Sequence, residues 1–266
     1  MKIDVCVKQV PASNETRLDP VTHTIIREGS ESILNPFDAY AVEEALRIRS
    51  RLSGSITAFT MGIPAAENLL RRVLALGVDD AVLLTDRRFA GSDTLATARV
   101  LAAAVRSRGM PDLILCGRMA TDGDTAQVGP MLAENLGIPH ITDVAAVEEV
   151  SEQAAVVRRL TDSGYVRLRV RLPALLTVLK EINIPRLPSL SGILKAEDEG
   201  ITVLDHTALN LDPSETGLSG SATRVVSTER PVLEKKAVRL EGPPQEQAEA
   251  LVRCLRKAGF QASETP

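Results

Sequence analysis

From Ile3 to about residue 145, short apolar runs alternate with stretches whose apolar residues recur at helical spacing. Ile3 to Val7, Ser55 to Met61, Ala81 to Thr85 and Asp112 to Cys116 read as strands. Between the first two, Pro36 to Arg51 places Ala41, Val42, Ala45 and Leu46 on one helical stripe. Pro64 to Leu76 reads as a helix with a proline in its first turn and Gly77 at its end. Thr94 to Ser107 is an Ala-rich helix for which Ser92 or Asp93 supplies the cap, with Gly109 just past its end. Thr125 to Leu136 follows the fourth strand and stops at Gly137. Strands separated by helices of this length predict an α/β protein with an open, mostly parallel, doubly wound sheet and helices on both faces.

Beyond His140 the pattern changes. Ala154 to Leu160 and Tyr165 to Leu172 predict a β-hairpin about Thr161-Asp-Ser-Gly164, and the alternation from Leu168 to Leu172 suits one buried and one solvated face. Leu172 to Val178 is apolar enough to return to the core sheet. A poorly periodic stretch of about forty residues follows, through Pro185, Pro188, Pro213 and Gly217 to Ser221. Compact domains rarely carry so long an irregular segment, so it reads as an extended C-terminal arm lying on another protein. The last helix, Pro244 to Lys257, is amphipathic through Ala248, Leu251, Val252 and Leu255. The division expected is 1–184 for the α/β domain with its hairpin, and 185–266 for a Pro-rich loop, the extended arm and the C-terminal helix.

Composition removes several function classes. With 44% hydrophobic and 25% charged residues the chain is an ordinary globular one. A net charge of -4 without a basic face, no Trp, and only two Tyr and four Phe argue against nucleic-acid binding. No apolar run is long enough for membrane insertion. The N-terminus reads as a strand rather than a targeting peptide, so the expected location is cytoplasmic. Cys6, Cys116 and Cys254 have no metal-ligand spacing, and His23, His140 and His206 have no evident acid/base partners. No catalytic side chain and no metal site are expected, and electron chemistry would have to come from a bound cofactor.

The segment richest in chemistry is Cys116 to Pro130, between the fourth strand and its helix. Open α/β sheets bind nucleotides at such carboxyl ends, where loop amides and a helix N-terminus meet phosphate or ribose. It is neither a Walker loop nor a GxGxxG fingerprint. Asp124 with Gln127 three residues on is also a capping box, worth about 1 kcal/mol to the helix that follows. Asp122 and Asp124 sit awkwardly beside phosphate and are better suited to ribose hydroxyls or backbone amides. Asn35-Pro36-Phe37-Asp38 reads either as a turn with a cap or as part of the same carboxyl edge, and Cys6 as a small buried apolar residue.

These residues resemble the beta subunit of electron-transfer flavoprotein. The match runs in order through Val5 to Pro11, Leu34 to Asp38, Ala41 to Ala45, Gly117 to Gln127, Arg167 to Thr177, Pro185-Arg186 and Ile193 to Ala196. The resemblance implies an adenine-nucleotide-binding α/β fold and a heterodimer with an alpha subunit that carries FAD. It carries over the cofactor contacts Cys6, Asn35, Pro36, Phe37, Asp38, Met61, Gly117, Arg118, Met119, Ala120, Thr121, Asp122, Gly123, Asp124, Thr125, Ala126, Gln127 and Val128. The loop, together with Gly217 to Thr223, looks like the branch that holds a second FAD where others hold structural AMP. That branch bifurcates electrons: NADH is the donor, and the two electrons part between a high-potential acceptor and a low-potential one such as ferredoxin or flavodoxin. Ala126 and Val128 stand where the AMP pattern carries polar side chains.

Two positions depart from the family pattern: Val166, where an acidic or amide residue is usual, and Ser13, where some members carry an aromatic residue. Pro185 to Lys195 resembles the loop that docks on acyl-CoA dehydrogenases, with Leu190 as anchor and Arg186 and Ile193 beside it; alone it is an ordinary Pro-rich loop. A conventional AMP-holding beta subunit and a non-redox nucleotide-binding sensor are the alternatives.

Overall fold

The computed structural model describes residues 1–12, 32–227 and 237–260. Ser13 and His23 therefore lie outside the described residues.

Five parallel strands form the centre: β1 (Lys2–Cys6), β4 (Ser55–Met61), β5 (Asp80–Leu84), β6 (Leu113–Gly117) and β10 (Ala174–Val178). A separate antiparallel ribbon joins β2 (Gln9–Pro11) to β3 (Ser32–Leu34). The central strands are extended by β7 (His140–Val150), β8 (Ala154–Thr161) and β9 (Gly164–Arg171) on one side and by β11 (Thr202–Leu204) on the other. The resulting nine-stranded sheet has the order β11-β5-β4-β1-β6-β10-β7-β8-β9. From β1 the chain first builds outward through β4 and β5, then returns to lay β6 along the other side of β1. That reversal creates a switch point at the carboxyl ends of β1 and β6, the place where such sheets open a ligand crevice.

The alternation along each strand feeds two cores. Ile3, Val5 and Val7 face α1 (Pro36–Leu52) and α2 (Glu67–Ala75), while Cys6, Phe59, Ile114 and Cys116 face α3 (Thr94–Ser107) and α4 (Val128–Leu136). Helices thus cover both faces. Asp93 caps α3 by accepting from the amides of Leu95 and Ala96, each at 3.0 Å, which settles the choice between Ser92 and Asp93. The segment expected as one helix from Pro64 begins as a 3-10 turn and becomes α-helical at Glu67.

Three features differ from the pattern read along the chain. The edge beyond β10 is longer than expected, because β7 precedes the hairpin of β8 and β9. Irregularities in its pairing to both neighbours blur the two-residue period of β7. The stretch after Pro185 is not wholly irregular: α5 (Leu190–Asp198) packs against α2, and β11 adds a parallel strand to β5. Short elements of nine and three residues leave little periodicity to read. Finally, Met1–Val226 is one compact unit, so residues 185–226, including the four-residue α6 (Gly217–Gly220), stay with the sheet. Ser227–Pro266 is a second unit whose described helix is α7 (Pro244–Lys257), with Leu251, Val252 and Leu255 exposed along one side.

Candidate nucleotide site

At the switch point, Asn35 and Asp38 reach from the start of α1 into the turn that leaves β6. Asn35 is the N-cap residue of α1 but makes no side-chain cap bond. Its buried amide is used elsewhere: Nδ2 donates to the carbonyl of Met119 at 2.9 Å, and Oδ1 accepts from the amide of Thr121 at 3.2 Å. One side chain thereby sets the path of residues 119 to 121. Asp38 accepts from the amide of Lys8 at 2.7 Å. Burial pushes its carboxyl from 3.8 up to about 7, although hydrogen bonds from Asn35 and from the Lys8 and Gly117 amides pull the other way. Gly117 is required by this approach, because a Cβ there would lie 2.4 Å from Asp38 Oδ1 and 2.6 Å from the Phe37 carbonyl carbon.

Lys8 is the residue that reading along the chain does not single out. Its ammonium meets Asp122 Oδ1 at 2.6 Å, across 114 residues of chain, and the Asp122 side chain is 2% exposed. The contact pins the middle of the loop to the end of β1. The one signal in the sequence is its place just past a strand, beside the carboxyl edge. Arg118 turns away from the loop to pair with Asp143 at 2.9 Å, while its amide donates to the carbonyl of Val178.

The capping box does not form. Helix α4 begins at Val128 rather than Thr125, and Asp124 and Ala126 take left-handed backbone angles, φ 48° and 54°. Asp124 instead closes a turn through its amide to the carbonyl of Ala120 at 2.8 Å. Gln127 occupies the N-cap position without a side-chain cap bond; its Oε1 accepts from Thr94 Oγ1 at 3.1 Å. The two amides that open α4, those of Val128 and Gly129, find no acceptor among the described residues, and Pro130 after them has no N–H to offer. Two non-glycine residues in the left-handed region, each costing roughly 1 to 2 kcal/mol, are held by the surrounding anchors. Thr121, Gly123, Asp124 and Thr125 are exposed above this base. An uncapped helix end, beside exposed main chain and the half-buried Lys8, suits the phosphate of a nucleotide.

The remaining expected contacts lie nearby but differ in kind. Pro36 is exposed at the first turn of α1, and Phe37 is half-buried beside Gly117. Met119, Ala120, Ala126 and Val128 are half-buried along the loop. Met61 ends β4, on the α3-side core. Cys6 and Cys116 are in register on neighbouring strands, both buried. The hydrogen bond to Cys116 and then burial push the Cys6 thiol up, away from nucleophilic thiolate character.

Asp93 joins a further segment to this edge. Besides capping α3, it accepts from the amide and hydroxyl of Thr223 at 2.8 and 3.0 Å, and its own amide donates to Ser221 Oγ at 2.8 Å. The Gly217 to Thr223 stretch is thereby fastened to the helix that also contacts Gln127. His206 is buried with Nδ1 3.1 Å from Arg88.

The fold is an open, mostly parallel α/β sheet with helices on both faces and a switch point of the kind at which such sheets take ligands. The family model described as "Electron transfer flavoprotein domain" matches residues 22–209. "Electron transfer flavoprotein subunit beta" of Thermoanaerobacterium thermosaccharolyticum is 48% identical over 256 residues, covering 96% of this chain and 98% of that one. "Caffeyl-CoA reductase-Etf complex subunit CarD" of Acetobacterium woodii is 46% identical over 226 residues, 85% of this chain and 86% of the relative. "Protein FixA" of Azorhizobium caulinodans is 44% identical over 232 residues, 85% and 83% of the two chains. The chain belongs to the electron-transfer flavoprotein beta-subunit family. Membership implies an alpha-subunit partner and dehydrogenase partners. Among the described residues, no helix is long and apolar enough to cross a membrane.

Proposed function

We propose that the Gly117–Val128 loop binds FAD, and that the chain works with its alpha subunit in flavin-based electron bifurcation from NADH. The observation that supports the nucleotide reading is the uncapped start of α4, where the Val128 and Gly129 amides find no acceptor among the described residues. Ala126 and Val128 carry no polar side chain, and Val128 packs against the α3-side core, so neither supplies the side-chain contacts of the AMP pattern, which favours the FAD reading. Hydride acceptance and the division of its two electrons belong to the flavin when bound. The residues of this chain position it instead, with Asn35, Asp38 and Lys8 fixing the loop and the α4 amides receiving phosphate. Relatives named for caffeyl-CoA and acryloyl-CoA reductases support an acyl-CoA dehydrogenase-type partner. A ferredoxin- or flavodoxin-like protein is the low-potential acceptor in this reading.

Docking to the dehydrogenase is assigned to Pro185 to Lys195. Leu190 opens α5 with its side chain exposed, Ile193 stands one turn later, and Arg186 precedes them. The apolar side of α7 and the rest of 227–266 are assigned to the alpha subunit. The second reading is the conventional subunit with structural AMP, whose phosphate would use the same amide edge.

Flavin and nucleotide extraction from the heterodimer separates the readings. Two FAD per heterodimer, one reduced directly by NADH, is the expected result. One FAD with one AMP refutes bifurcation and leaves the conventional subunit; a colourless heterodimer holding a lone nucleotide refutes both.

A further inference from the structure

We propose that Glu43, buried on α1, is a positioning residue for dehydrogenase docking, holding Arg186 so that Ile184, Leu187 and Leu190 stay presented to solvent. The inference rests on the docking part of the proposed function. Glu43 is 4% exposed, yet both of its carboxyl oxygens are engaged. Its Oε2 accepts from the Arg186 amide at 3.2 Å and from Nε at 2.7 Å, and its Oε1 accepts from Arg186 Nη2 at 3.1 Å. Arg47, one helical turn on, donates to the same Oε1 at 2.8 Å and to the carbonyl of Ile184 at 3.4 Å. Asn183 Nδ2 donates to the Tyr40 carbonyl and to Glu44 Oε2, each at 3.0 Å. Burial alone would push the Glu43 carboxyl up, but the hydrogen bonds from Arg186 and Arg47 outweigh it and hold it below its ordinary range.

The result is a loop whose main chain is fixed while its apolar side chains are bare. Ile184 is 83% exposed, Leu187 89% and Leu190 75%. On a loop free to collapse, these groups would fold back onto the apolar surface beneath. Gly192 keeps α5 close to α2, since a Cβ there would lie 2.3 Å from the Ala75 carbonyl oxygen, so the loop is fastened at both ends. Ordering the loop before contact removes an entropic cost that a partner would otherwise meet on binding, which is the general advantage of preorganisation. Glu43 serves this seat and not the nucleotide loop, which Asn35 and Asp38 hold from the start of the same helix.

The test uses the heterodimer with NADH as electron donor, a ferredoxin or flavodoxin as low-potential acceptor and a short-chain acyl-CoA dehydrogenase as the varied high-potential acceptor, comparing wild type with Glu43→Gln, Glu43→Asp and Leu190→Ala. The expected result for Glu43→Gln is a KM for the dehydrogenase raised about tenfold, as loss of charge-assisted hydrogen bonds predicts, with kcat and flavin content unchanged. Amide exchange at Arg186 should accelerate in the same variant, while exchange in residues 117–128 stays as in wild type. Glu43→Asp, too short to reach both nitrogens, should give a smaller rise and serves if Glu43→Gln does not fold. A raised KM for Leu190→Ala with no change in either Glu43 variant overturns the positioning role alone. No change for Leu190→Ala removes the docking reading itself. Parallel losses of kcat and flavin in the Glu43 variants make Glu43 a general structural residue and also overturn the proposal.

Discussion

Replacing Asp4 with Asn should abolish a pH dependence of stability that β1 builds into this protein. Asp4 lies in the middle of the central strand, between Thr57 of β4 and Ile114 of β6, and is 0% exposed. Neither carboxyl oxygen has a hydrogen-bond partner among the described residues. Burial pushes its pKa from 3.8 up to about 7, against the opposing charges of Lys2 and Arg108. The folded state therefore retains the proton over a range where the unfolded chain has already lost it. Below 3.8 both states are protonated and pH has no effect through this group; between 3.8 and about 7 stability falls as pH rises; above about 7 the loss is complete. About three pH units at about 1.4 kcal/mol each give a total of about 4 kcal/mol. The amide of Asn has nearly the same size and shape but does not titrate. Urea unfolding of the two proteins at pH 5, 6, 7 and 8 measures the difference directly. The variant should gain on wild type by a few kcal/mol across the series. Since Asp38 titrates in the same direction in both proteins, only their difference isolates Asp4. A difference that stays constant with pH would refute a buried, proton-retaining carboxyl at this position.

Other outcomes test the site. Gly117→Ala should destabilise the chain by about 1 to 3 kcal/mol, since the new methyl must displace Asp38 or the α1 backbone, and nucleotide content should fall with it. Asn35→Ala removes the two bonds that set residues 119 to 121 and should weaken nucleotide binding about tenfold by calorimetry; unchanged affinity would separate this loop from the ligand. Ala126→Gly should raise stability by up to about 1 kcal/mol in thermal unfolding, because glycine takes φ 54° without penalty.

How much of this was legible depended on how local each cause is. The span of α3 was readable to the residue because Asp93, its cap, is adjacent to the helix it starts. The outline of α7 followed in the same way from its own apolar period and its proline. Asn35, Asp38 and Gly117 to Gln127 stand out in the sequence because turn chemistry and family pattern coincide there, and the structure brings them together at one carboxyl edge. The capping box failed for the opposite reason: Asn35 at the start of α1 fixes Met119 and Thr121, Lys8 holds Asp122, and within the loop so anchored Asp124 lies in the left-handed region and α4 starts only at Val128. Local spacing describes what a segment prefers, and this loop's preference was overruled by distant segments.

The sequence by itself determined the alternation of strands and helices, the apolar character of the central strands, the hairpin and the family. Hydrophobic period and caps act over a few residues, so they can be read without knowing what lies opposite. Tertiary structure alone decided the order of strands, and with it the switch point that brings Lys8 to Asp122 and α1 to Gly117. It also decided that Thr223 meets Asp93 across 130 residues, that Arg186 is clasped by Glu43, and that Asp4 is sealed without a hydrogen-bond partner among the described residues. Each of these is set by which distant segments become neighbours, and no local preference encodes it.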